Sequence, residues 1–153
     1  MSAKRLPGKP LLRINGKSII ARVFNKAKNC KIGKVIVATE DKIIANEIKK
    51  NGGKAILTSK KHNSGTDRIW EAFKKLKNNK IKYIINLQGD EPLLDMDFID
   101  KFARFMNNRK ANFASMCKPF LYEENLDNPN RVKVVIDEQN KACLLYTSDA
   151  ADE

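Results

Sequence analysis

Arg5-Leu6-Pro7-Gly8-Lys9-Pro10-Leu11 sets two cations four residues apart on a backbone stiffened by two prolines. Arg5 and Lys9, spaced so, suit the two sides of a polyphosphate, and proline lowers the cost of ordering such a loop. The same residues also make an ordinary basic turn. The segment is not a Walker loop, because Gly8-Lys9 is followed by Pro10 rather than Ser or Thr. A second group is His62-Asn63-Ser64-Gly65-Thr66-Asp67-Arg68. Ser64 and Thr66 offer hydroxyls, Gly65 permits close backbone approach, and Arg68 offers a planar donor fork. Ser64 or Thr66 also suits a helix N-cap, and a capped helix N-terminus is a place where anionic ligands sit. His62 is the only histidine, and no chemistry is assigned to it. The third group is Gln88-Gly89-Asp90-Glu91-Pro92. Asp90 is a hard oxygen donor of the kind Mg²⁺ takes alongside substrate phosphates. A polar turn is the alternative.

The elements that must position these groups alternate between strand and helix patterns. Ser18 caps a helix through about Asn29, with Ile19, Ile20, Val23 and Phe24 on one face. Strands are expected at Lys34–Ala38, Lys54–Thr58 and Lys82–Leu87, the last being the clearest. Others are expected near Phe113–Cys117 and at Val132–Ile136. Asp41 caps a helix that stops at Gly52-Gly53, and Asp95 caps one to about Asn107. A helix from Thr66 to Asn78 carries Ile69, Trp70, Phe73 and Leu76 as a core stripe. The alternation predicts an α/β fold with a largely parallel sheet covered by helices on both faces. In such sheets ligands bind beyond the carboxyl ends of the strands.

Composition narrows the class. No apolar run approaches the roughly 18 residues of a membrane span, so membrane insertion is not expected. Cys30, Cys117 and Cys143 lack metal spacing and suit reduced thiols in a cytoplasm. The net charge of +12 invites a basic nucleic-acid-binding module as an alternative of another class. Its lysines are spread along the chain, however, and Lys, Asn and Ile all have AT-rich codons. Genome composition therefore accounts for the bias, and no nucleic-acid partner is expected.

RLPGKPL, INGK, VIVAT, HNSGTDR, NLQGDEP and NPNRVKVVID, in this order, resemble the 3-deoxy-manno-octulosonate (KDO) cytidylyltransferase family. The resemblance runs from residue 1 to about Ala142. It implies a Rossmann-like nucleotide-diphospho-sugar transferase fold and transfer of CMP from CTP to KDO with Mg²⁺. It also implies a cytoplasmic homodimer serving lipopolysaccharide biosynthesis. A cytidylyltransferase for a KDO variant is the nearest alternative. By this resemblance Lys9 and Arg5 face the triphosphate, and Asp90 holds the metal. Gln88 orients substrate, and Ser64, Gly65, Thr66 and Arg68 hold the nucleoside end.

Two departures qualify it. Family members begin with an apolar strand and Pro-Ala-Arg ahead of this loop, so Met1 reads as an internal methionine or a cut end. The usual small hydroxyl residue is replaced by Ala3, with Ser2 beside it. Residues 143–153, CLLYTSDAADE, resemble a translated sequencing adapter. Residues 1–142 are thus read as a partial cytidylyltransferase domain and 143–153 as a non-native tail, with a native strand Cys143–Thr147 as the alternative. A piece lacking the family's later metal carboxylate is expected to be inactive by itself.

Overall fold

The computed structural model describes residues 8–78, 80–109 and 111–147. The chain divides into two compact units, Met1–Lys110 and Ala111–Glu153.

In the first unit a short 3-10 turn, Lys9–Leu11, leads into a hairpin of β1 (Arg13–Ile14) and β2 (Lys17–Ser18). Asn15 and Gly16 both take positive φ, 48° and 74°, the two-residue turn whose twist matches the strands. No hairpin is expected here from the apolar pattern; the Asn-Gly pair is the signal that demands one. Helix α1 (Ile19–Asn29) starts at Ser18, whose Oγ accepts from the Ala21 N–H. Its buried face is Ile20, Val23, Phe24 and Ala27, the helical spacing of one stripe.

Strand β3 (Ile36–Thr39) crosses through α2 (Lys42–Lys50) to β4 (Lys54–Leu57), which pairs parallel to it from Ile36↔Lys54 to Thr39↔Leu57. Asp41 caps α2 by accepting from the Ile43 N–H at 2.7 Å. This βαβ unit carries the core: Ile20, Phe24 and Ile48, with Val35, Val37, Ile44 and Ala55 against them. Gly53 follows from that packing, since a Cβ there would lie 2.6 Å from Phe24 Cζ and 2.7 Å from Ile48 Cγ2. Two further helices follow, α3 (Gly65–Leu76) and α4 (Met96–Asn108), the latter burying Ile99, Ala103 and Met106.

Three expectations need correction. Residues 82–87 pair with no strand among the described residues. Their burial still alternates, with Tyr83, Ile85 and Leu87 half-buried and Lys82, Ile84 and Asn86 exposed. Apolar alternation specifies a face, whereas a strand also needs a hydrogen-bonded neighbour. Residues 113–117 likewise form no ladder, and Phe113 is exposed. The α3 stripe is only partly core. The helix buries Arg68 and Ala72, leaves Ile69, Phe73 and Leu76 half-buried, and exposes Trp70, which stacks on Phe73 at 5.4 Å between ring centroids.

The second unit holds the antiparallel pair β5 (Lys133–Ile136) and β6 (Ala142–Tyr146). The residues set aside above as a tail thus supply most of β6, and all five of its residues are exposed. Asp137 Oδ1 ties the connecting turn by accepting from the N–H groups of Gln139 and Lys141.

No helix among the described residues is long and apolar enough to cross a membrane. The three cysteines are free.

Candidate functional site

The structure gathers the candidate residues into two groups. In the first, Lys9 Nζ donates to Asp90 Oδ2 at 2.8 Å, joining residues 81 apart in sequence. Both backbones are fixed beside the start of α1. Gly8 takes a left-handed φ of 73°, which permits the turn into Lys9, and Pro10 stiffens it. Leu11 N–H bonds to the Gly8 carbonyl, Leu12 N–H to that of Lys9, and Ile19 N–H to that of Leu12. On the other side Gly89 lies against α1 so closely that a Cβ would stand 2.5 Å from Ile20 Cδ1. A side chain just before Asp90 would therefore have to displace the terminal methyl of Ile20. The side chains of Lys9 and Asp90 are 38% and 41% exposed, so a ligand in solvent reaches both. The Gln88 carbonyl accepts from the Glu91 N–H. Arg5 lies outside the described residues.

Asp90 is a single carboxylate. No group of three or more His, Cys, Asp or Glu suited to a metal occurs among the described residues. That donor set fits Mg²⁺ only in its usual manner, with one or two carboxylates and the remaining oxygens from water and phosphate.

The second group stands at the carboxyl ends of β3 and β4. Arg68 is buried, and its guanidinium donates to Thr58 Oγ1 at 2.8 Å, to the Ser59 carbonyl at 3.2 Å and to Glu40. The fork thus ties the residue after β3 to the residues after β4, where Thr58 N–H also bonds to the Thr39 carbonyl. Ser64 caps α3, accepting from the Asp67 N–H while its hydroxyl donates to Asp67 Oδ2. Gly65 faces open space and Thr66 is exposed, so the first turn of α3 is accessible. Of the four residues expected at the nucleoside end, two have their polar atoms engaged by protein and two are open.

Glu71 holds the loop before α3 in place. It accepts from Lys75 Nζ at 2.6 Å and from the Ser59 N–H at 2.9 Å, and it pairs with His62. These bonds, led by that of Lys75, lower its pKa to about 2. Neither Glu40 nor Glu71 is a candidate from sequence. Glu40 is accessible to sequence reasoning, because it follows VIVAT directly and so stands at a strand's carboxyl end. Glu71 lies in mid-helix and carries no such mark.

A search among known proteins adds direct likenesses. A family profile described as cytidylyltransferase matches residues 1–151. A 3-deoxy-manno-octulosonate cytidylyltransferase of Thermodesulfovibrio yellowstonii is 44% identical over 150 residues, covering 94% of this chain and 59% of that protein. Those of Photorhabdus laumondii and Fusobacterium nucleatum are 41% and 42% identical over 97% and 96% of this chain. The chain spans 59% and 60% of those two relatives. Among solved structures, CMP:2-keto-3-deoxy-manno-octonic acid synthetase complexed with CTP superposes with a TM-score of 0.78 at 33% identity. The match covers 96% of this chain and 60% of that one, and the two share the nucleotide-sugar transferase α/β fold.

Proposed function

Because this chain belongs to the cytidylyltransferase family, we propose that it carries the CTP-binding part of an enzyme that transfers CMP from CTP to KDO. The observation that carries this reading is the meeting of Lys9 and Asp90 beside α1, a cation and a hard carboxylate in reach of one ligand. In the reaction, the anomeric hydroxyl oxygen of KDO attacks the α-phosphorus of CTP, the bond to the β-phosphate oxygen breaks, and pyrophosphate leaves. Negative charge grows on the phosphoryl oxygens and the leaving group. Lys9, on a loop whose backbone is already fixed by Gly8 and Pro10, supplies a cation to that charge. Arg5 serves the same triphosphate.

Asp90 holds Mg²⁺ in this reading, and the ion supplies additional positive charge to the triphosphate when bound. Gln88 orients substrate in the loop that carries Asp90. Gly65 and Thr66 face the nucleoside. Ser64 and Arg68 shape that end by fixing the first turn of α3 and the strand ends. Assembly as a homodimer in the cytoplasm belongs to the same reading.

Calorimetric titration of the chain with CTP, then with ATP, tests it. CTP should bind and ATP should bind more weakly, because a site built to pair one base leaves its donors unpaired with another. No detectable CTP binding by a folded sample overturns the reading.

A further inference from the structure

We propose that the Lys9–Asp90 ion pair is a latch that keeps the carboxylate closed to divalent cations until a nucleoside triphosphate draws the ammonium away. The inference rests on the nucleotide-binding reading above and adds an order of events to it. With its ammonium partner at 2.8 Å, the Asp90 carboxylate is locally neutralised. A divalent cation approaching it meets a positive neighbour and one donor group, with no cluster of further acids among the described residues to hold it.

The latch is confined to side chains. Gly8 and Pro10 fix the backbone under Lys9, and the contact of Gly89 with Ile20 fixes the backbone before Asp90. The lysine stem is flexible, so the ammonium can swing away while both loops stay in place. A triphosphate carries several negative charges and outcompetes one carboxylate for that ammonium. It also supplies the oxygens that a single aspartate lacks. One binding event thus frees Asp90 and completes a metal's ligand set. Metal alone should occupy the site poorly, and nucleotide and metal should bind with positive coupling.

The test uses Mn²⁺ as the probe, read by electron paramagnetic resonance on the whole chain, without nucleotide. Lys9→Met should bind Mn²⁺ about two- to fivefold more tightly than the wild type, the range set by a half-exposed ion pair. Lys9→Arg keeps the charge and should behave as the wild type. Adding Asp90→Asn to Lys9→Met should remove the gain. Equal Mn²⁺ affinity in wild type and Lys9→Met overturns the latch, as does a gain that survives Asp90→Asn. In a second arm, CTP should raise Mn²⁺ affinity more in the wild type than in Lys9→Met, since coupling is reciprocal. Failure of CTP to bind condemns the functional reading separately, because the nucleotide-free comparison decides the latch without it.

Discussion

Gly89→Ala isolates the contact that sets Asp90 in place. The backbone at Gly89 is not in the left-handed region, so alanine adds only a methyl group, 2.5 Å from Ile20 Cδ1. Ile20 is buried in one core with Phe24 and Ile48, which hinders its retreat. Overpacking of this kind costs roughly 1–3 kcal/mol. Against a total of about 5–15 kcal/mol, that is a measurable fraction. Urea denaturation followed by circular dichroism in the far ultraviolet reads it. Ile20→Val removes the clashing carbon and alone should cost about 0.5–1.5 kcal/mol. In the double variant the methyl group added at position 89 would occupy the vacated space, so the combined loss should fall clearly below the sum of the singles. The coupling should amount to about 1 kcal/mol or more. Strict additivity would refute the packing account of Gly89. A stable Gly89→Ala with unchanged Mg²⁺-dependent CTP binding would refute the idea that this contact positions Asp90.

Other outcomes follow from the same geometry. Asp90→Asn should abolish the Mg²⁺-dependent tightening of CTP binding and, by freeing Lys9, raise metal-free CTP affinity about two- to fivefold over the wild type, as calorimetry would show. Lys9→Ala should weaken CTP binding by about tenfold to a hundredfold, the value of a charged hydrogen bond, with little change in the denaturation midpoint. Arg68→Lys should cost stability, roughly 1–3 kcal/mol, because one ammonium cannot satisfy Thr58, Ser59 and Glu40 together; weaker CTP binding at unchanged stability would instead put the guanidinium on the nucleotide. Glu71 has its pKa lowered from 4.5 to about 2, so its bonds stabilise the fold above pH 4.5 and are lost as pH falls toward 2. The stability gap between wild type and Glu71→Gln should therefore be full at about pH 6, narrow below 4.5 and close near 2, and a gap independent of pH would contradict it.

The sequence disclosed most where a local rule and a packing rule agree. Ser18, Asp41 and Asp95 are caps by residue type, and each is followed by an apolar stripe that the fold buries. Gly53 ends α2 by type and is also the residue that Phe24 and Ile48 leave room for. Legibility failed where the outcome depends on a distant partner. Residues 82–87 have the composition and the alternation of a strand, but a ladder is a property of two segments. Arg68 shows the same limit from the side of function. Its type and its place after Ser64-Gly65-Thr66 suit a ligand, yet burial turns its fork onto Thr58, Ser59 and Glu40. Only Glu40's place after β3 hinted at that. Lys9 and Asp90 were each legible as ligand-binding types, whereas their mutual contact was not, since no sequence rule pairs residues 81 apart. That contact changes the chemistry expected of both. Singly, each is an open invitation to phosphate or metal. Paired, each must be released before it serves, which makes the affinity for one ligand depend on the presence of the other.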